Sequence, residues 1–294
     1  MFNALYGAND ALLNEAAARY LGTEKAFDGL LLKRCLISIV ARVIQPGCQV
    51  DTCLILKGEQ GTFKSSFFRE LLPELSWFDD SLGKDVTNKD ELAKLHRCVL
   101  MEWGEIEKAF SKKQAADIKH FLTQRIDRFR PAYRRDILLF PRASVIVGTT
   151  NKEEFLTDET GDRRFWIIEP KRIDLHRLKT ERDRLWAAAM AAYKSGERWW
   201  LTKQEEQIAN QNNEQYRDTH PWQPTVEAYL EAAEKTGGMV IATDILSKIK
   251  PERDKQTKND LMEVTAIMRK LGWVKGSRAR VDNERVYPWH KPLQ

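Results

Sequence analysis

The stretch Leu54-Ile-Leu-Lys-Gly58-Glu-Gln-Gly61-Thr-Phe-Lys64-Ser65-Ser66-Phe67-Phe68 decides the fold of this chain. An apolar run, Thr52 to Leu56, reads as a buried strand. A glycine-bearing loop follows, then Lys-Ser, then a helical run from Ser66 to Leu72. Strand, loop and helix in that order form the context of a phosphate-binding loop, in which backbone N–H groups and a helix N-terminus face an anion. Gly58, Gln60, Gly61, Thr62, Phe63, Lys64, Ser65 and Ser66 would line it. Lys64 would reach the β- and γ-phosphates of a nucleotide, and Ser65 would ligate Mg²⁺. Against the pattern G-x-x-x-x-G-K-[ST], Phe63 stands where glycine is expected. The expectation is that the loop keeps φ negative there and turns the ring away from the phosphates.

Working outward, Arg97-Cys98-Val99-Leu100-Met101-Glu102-Trp103-Gly104-Glu105 is an apolar strand ending in acid. The strand Ala143 to Gly148 ends at Thr149-Thr150-Asn151, and the paired Arg163-Arg164 follows. All these groups fall where a strand ends, and each has a role in nucleotide hydrolysis. Glu102 or Glu105 can hold Mg²⁺ through water and accept a proton from the attacking water. Asn151 can orient that water, and Arg163 or Arg164 can neutralise charge on the transferred phosphoryl, across a subunit interface in ring ATPases. Each feature has a plainer reading as a helix start, a turn or a solvated pair.

Strands alternating with helices predict a mainly parallel, three-layer α/β core over 48–202, preceded by a helical segment, 1–47. Residues 203–224, rich in Gln and Asn, read as a solvated helix and linker. Beyond them, helices at 225–235, 243–249 and 258–271 precede a two-strand ribbon. It runs out from Gly272-Trp273-Val274-Lys275, turns around Arg278 and Arg280, and returns as Glu284 to Tyr287. This pattern predicts a winged helix-turn-helix over 225–294, with Trp273 and Trp289 as core.

The chain has 294 residues, 42% hydrophobic and 31% charged, and a net charge of +5. Such a balance permits a polyanionic partner. Its four cysteines, Cys35, Cys48, Cys53 and Cys98, show no metal-ligand spacing and read as buried thiols. No apolar run approaches the roughly 18 residues of a membrane span, and no signal peptide is visible; the expectation is a cytoplasmic protein without membrane contact. Lys119, Arg125, Arg128, Arg130, Arg134, Arg135 and Arg142 crowd one stretch, read as a helix and a basic loop. Phe121, Phe129 and Tyr133 are interleaved with them. Cations for phosphates and aromatics for bases suit a single-strand channel, with Arg128, Arg130, Tyr133 and Arg134 as its contacts; pairing with Asp127 and Asp136 is the competing use. In the C-terminal segment Arg278 and Arg280 would touch a phosphate backbone while the third helix enters a major groove. Protein docking is the alternative use of that segment.

Residues from about 15 to 200 resemble the virulence-associated E family, phage and prophage replication proteins with a superfamily 3-type, AAA+-like helicase core. The resemblance rests on Arg42-Val-Ile-Gln-Pro46-Gly47, Gly58-Glu-Gln-Gly61 with Lys64-Ser65, and Glu102-Trp-Gly-Glu105. Lys119-His-Phe-Leu-Thr123, Arg130-Pro-Ala-Tyr133, Pro141-Arg142, Gly148-Thr-Thr-Asn151 and Asp158-Glu-Thr-Gly-Asp-Arg163-Arg164-Phe-Trp166 extend it. It implies Mg²⁺ and ATP, single- and double-stranded DNA, a ring that is typically hexameric, and ATP-driven unwinding in the bacterial host cytoplasm. Many relatives carry an upstream primase or primase-polymerase. None precedes Met1, so priming is expected from a partner, or from a part of a longer protein. Two rivals stay open: an initiator or loader whose nucleotide gates assembly with little turnover, and a non-enzymatic regulator.

Overall fold

In a computed structural model the chain forms two compact units, Met1–Asp218 and Thr219–Gln294. The structure describes residues 11–83, 85–109, 115–131, 134–156, 162–217, 220–281 and 284–292.

The first unit is built on a five-stranded parallel sheet. Its strands are β1 (Cys53–Lys57), β2 (Phe78–Asp79), β3 (Leu100–Trp103), β6 (Val145–Thr150) and β7 (Phe165–Ile168), in the order β2-β3-β6-β1-β7. β1, β3, β6 and β7 are buried at every position, as parallel strands covered on both faces must be. Alternation divides their side chains between two cores. Leu54, Leu56, Val147 and Trp166 pack on one face with helices α1 (Ala16–Leu21), α2 (Ala26–Ile44), α3 (Lys64–Leu71) and α6 (Leu175–Lys194). Ile55, Met101, Trp103 and Ile167 pack on the other, with α4 (Lys89–Leu95) and α5 (Ala115–Thr123). Caps start these helices where the sequence supplies them: Asn88 accepts from Asp90 N, and Asp174 accepts from Arg177 N.

Two stretches depart from the sequence reading. The basic loop is instead part of an antiparallel ribbon, β4 (Ile126–Phe129) on β5 (Leu138–Pro141). Period-two alternation turns Asp127 and Phe129 inward and leaves Ile126 and Arg128 exposed. The polar stretch after 202 is the expected helix, α7 (Lys203–Asn213), with a clean Thr202–Glu205 capping box, but it is docked where a solvated one was expected. Ala209, Asn213 and Tyr216 are buried, Asn213 Nδ2 donates to Phe165 O, and the N–H groups of Phe155 and Leu156 donate to Tyr216 O. A few apolar and amide groups on one face are enough to dock an otherwise hydrophilic helix.

The second unit packs α8 (Gln223–Thr236), α9 (Ala242–Ile249) and α10 (Lys258–Lys270) around Val226, Leu230, Ile245, Val264 and Met268. Trp273 and Trp289 join that core, 7% and 4% exposed. The expected ribbon pairs differently. β9 (Val274–Lys275) and β8 (Val240–Ile241) both pair with β12 (Pro288–His290), and β10 (Ala279–Val281) pairs with β11 (Glu284–Val286). Burial of Trp289 draws the last strand into a three-stranded sheet. The segment between then forms its own hairpin, with Arg280 on a strand instead of in the turn. No helix among the described residues is long and apolar enough to cross a membrane.

Candidate phosphate and metal site

Parallel strands present their following loops at one edge of the sheet, where α/β proteins bind ligands. The loops after β1, β3 and β6 meet there around a cavity of about 410 Å³. Gln60, Gly61, Thr62, Phe63, Lys64, Ser65 and Ser66 line it from the first loop, Glu105 from the second, and Thr149, Thr150 and Asn151 from the third. The structure thus brings together most of the residues that the sequence nominates for nucleotide chemistry. Gly58, at the foot of the loop, donates its N–H to Thr150 O and fixes the first loop against the third.

Glu102 is the chemical centre of this arrangement. Its carboxylate is 1% exposed, and Oε1 accepts from Ser65 Oγ at 2.6 Å and Thr149 Oγ1 at 2.7 Å. Oε2 is buried with no hydrogen-bond partner. Burial raises the Glu102 pKa, against the two hydroxyls that lower it. A buried, unpaired carboxylate oxygen beside a serine hydroxyl is a costly arrangement for a folded chain. It is also a hard-oxygen donor set of the kind Mg²⁺ takes. The residues therefore fit a Mg²⁺ ion held by Ser65 and, directly or through water, by Glu102. Thr149 was nominated only as part of a strand-end motif; its bond to the carboxylate follows from register, since Glu102 pairs with Val147 on β6.

Lys64 is buried, and its ammonium donates to the carbonyls of Gly58 and Glu59 at 2.8 and 2.7 Å. Burial lowers its pKa, opposed by the charges of Glu102 and Glu107. Phe63 corrects the sequence expectation. Its φ is +64°, the left-handed region that glycine would occupy at no cost, and its side chain is 59% exposed. The loop holds a backbone conformation suited to glycine at this position and bears the strain of a β-carbon there. Among the described residues the non-glycines with positive φ are Phe63 and Glu105, at +49°, and both line this cavity. Strain of this kind concentrates at functional sites.

Lys57, which the sequence reading passed over, anchors the loop from behind. Its buried ammonium bonds Glu153 at 2.6 Å and Glu169 at 2.8 Å and lies 5.3 Å from the Tyr216 ring centre. A lysine closing an apolar strand was its only signal.

Arg163 and Arg164 are not among the residues lining the cavity. Arg163 is half exposed and lies 3.6 Å from Glu206, and Arg164 is partly buried with its Nε unpartnered. Of the nucleic-acid candidates, Arg128, Arg130, Arg134, Arg278 and Arg280 are exposed, and Tyr133 lies outside the described residues. Arg142 is 2% exposed. It grips Asp127 through two bonds of 2.8 Å, and His96 bonds the same carboxylate at 2.9 Å. Burial acts to raise the Asp127 pKa, but the bonds from His96 and Arg142 hold it below the ordinary range. Phe121 and Phe129 are buried as well, 2% and 9% exposed, so neither offers a face to a base.

Comparison with known proteins agrees with the family-like motifs. Among curated proteins none matches. Solved structures of similar shape include "The apo structure of NrS-1 C terminal region (305-718)", 14% identical with a TM-score of 0.49, covering 97% of this chain and 74% of that one. Its A form apo structure is 12% identical with a TM-score of 0.48, over 97% and 74% of the two chains. The profile of the virulence-associated protein E-like domain matches residues 4–218, most of the chain and nearly all of its first unit. The chain belongs to the virulence-associated protein E-like family.

Proposed function

We propose that this protein is a Mg²⁺-dependent ATP hydrolase that drives DNA unwinding during replication of a phage or other mobile element. The observation that carries the reading is the Ser65–Glu102–Thr149 cluster beside the loop that ends in Lys64. In this reading the loop N–H groups and the start of α3 cradle the phosphates, and Lys64 exchanges its carbonyl partners for phosphate oxygens. Mg²⁺ bound at Ser65 and Glu102 would neutralise phosphate charge and polarise the bond to be broken. Glu105, on the strained turn after β3, accepts the proton of the attacking water, while Asn151 orients that water. The water oxygen bonds to the γ-phosphorus as the bond to the β–γ bridging oxygen breaks. Arg163 or Arg164, outside the cavity of its own chain, is suited to reach a neighbouring subunit's nucleotide in a ring, hexameric in this reading. Exposed Arg128, Arg130 and Arg134 near the β4–β5 ribbon, and Arg278 and Arg280 near and on β10, contact DNA phosphates. The second unit is read as a winged helix, and a primase or polymerase partner would supply primers.

One observation favours a second reading, a loader that uses nucleotide to gate assembly. Phe63 adds a large side chain at the position where phosphate-binding loops need the least bulk. ATP hydrolysis with Mg²⁺, measured with and without single-stranded DNA and alongside Lys64→Ala, separates the two. Turnover that DNA raises and the variant lacks supports the motor. Nucleotide binding without turnover supports the loader.

A further inference from the structure

The second unit holds a cleft of about 350 Å³ between α10, the start of α9 and the strands β8, β9, β11 and β12. Its chemistry differs from that of the exposed ribbon arginines. Lys258 and Arg269 stand at opposite ends of the α10 side, and Lys275 and Arg285 line the strand side; among the described residues no carboxylate lines the cleft. Between the cations the walls are mostly apolar: Leu261 and Met262 on the helix, Ile241 and Val286 opposite, with the Tyr287 and Trp289 rings beside them. Met262 is 59% exposed and presents its apolar side chain to the cleft.

A duplex reader needs hydrogen-bonding side chains in the middle of its helix. Here the middle offers Leu261, Met262 and Thr265, and the Thr265 hydroxyl donates to the Met262 carbonyl of its own helix at 2.9 Å. A single-strand reader needs open aromatic faces for stacking. Lys275 sits 4.0 Å from the Tyr287 ring centre, and Arg269 lies 5.5 Å from that of buried Trp289. What remains on offer is a mainly aliphatic floor, with the half-exposed Tyr287 ring engaged by Lys275, inside a ring of positive charge.

We propose that this cleft docks a protein segment in which acidic residues flank an aliphatic side chain. The aliphatic group seats on Leu261, Met262 and Val286, and the carboxylates meet Lys258, Arg269, Lys275 and Arg285. Desolvated apolar contact would hold the segment, while charge speeds and selects its approach. DNA contact then falls to Arg278 and Arg280 on the neighbouring hairpin, whose side chains do not line the cleft. The inference stands on the second unit alone and is independent of nucleotide chemistry in the first.

The test is fluorescence anisotropy of the full chain with a labelled twelve-residue peptide alternating Asp and Leu. An Asp–Ser peptide and a Lys–Leu peptide serve as controls, and a duplex and a single-stranded oligonucleotide as competitors. Met262→Asp changes an exposed side chain, so the fold survives; the double variant Lys258→Glu, Arg285→Glu probes the charges. The expected result is saturable binding of the Asp–Leu peptide at micromolar concentrations, weakened at least about tenfold in either variant and in either control peptide. Arg278→Ala with Arg280→Ala should leave it unchanged. No saturable binding, binding indifferent to Met262→Asp, or an oligonucleotide that binds in the peptide's place and is lost with Met262→Asp would overturn the proposal. The last outcome would make the cleft a nucleic-acid surface.

Discussion

The loop 58–65 and the basic stretch 125–142 are both rich in functional residue types, yet they use them in opposite ways. In the loop the backbone is the working part. Gly61 and Phe63 take positive φ, the helix start follows at once, and phenylalanine holds a left-handed conformation that glycine would take at no cost. In the basic stretch the side chains matter, and their exposure decides what each can do. Alternation along β4 sends Arg128 outward and Asp127 inward, and the buried Asp127 then claims Arg142 for the core. A motif defined by backbone shape tolerates an odd residue; a patch defined by charge can lose a member to an ion pair that only the fold creates.

Removing Arg142 should have the largest effect. Arg142→Ala would strand a buried carboxylate and cost about 3–5 kcal/mol of stability, whereas Arg128→Ala and Arg130→Ala should each stay within roughly 0.5 kcal/mol of wild type. Denaturant melts decide this, and equal losses at all three sites would erase the distinction between core and surface cations. Next in size, the pair Arg128→Ala and Arg130→Ala should weaken single-stranded DNA binding by about tenfold and lower its salt slope by about 1–2. An unchanged salt slope would remove the ribbon from the DNA path.

The loop predicts a trade of stability against function. Because burial raises the Glu102 pKa, the carboxyl's stabilising contribution is full below the ordinary carboxylate range and lost as pH climbs through the folded value. Glu102→Gln should therefore raise Tm at pH 7 by about 2–4 °C, with little gain at pH 4, while ATP hydrolysis is lost. Thermal melts at both pH values test the sign; a lower Tm at pH 7 would mean the charged carboxylate is already satisfied. Smallest of all, Phe63→Gly should gain about 0.5–1 kcal/mol by releasing the left-handed strain, offset in part by a freer unfolded chain. A loss in urea melts would show that the phenylalanine ring contributes packing that outweighs its backbone.

Much of the first unit was legible because parallel strands buried on both faces write long apolar runs, and the runs of β3 and β6 end in residues proposed to act on nucleotide. Glu102 bonds Thr149 across β3 and β6, and Thr149, Thr150 and Asn151 line one cavity with the loop after β1. The Phe63 conformation was misjudged from residue preference, because the loop's path is set by its neighbours and not by that residue. The ribbon β4–β5, the burial of Arg142 and the docking of α7 were hidden for a common reason. Each depends on partners distant in sequence: Asp127 with His96 and Arg142, Asn213 with Phe165, Tyr216 with Phe155. In the second unit the helices were plain from their periodicity. The strand β9 was read from the sequence, but β8, β12 and the pairing of both β8 and β9 with β12 were not, since that pairing follows from where Trp289 is buried.

The most direct test of the central claim is calorimetric titration of the full chain with a non-hydrolysable ATP analogue, with Mg²⁺ and with chelator. Wild type should bind saturably and only weakly without Mg²⁺, and Lys64→Ala should lose binding while melting like wild type. Binding that ignores Mg²⁺ and survives Lys64→Ala, or no binding at all, would contradict a phosphate and metal site at the end of β1.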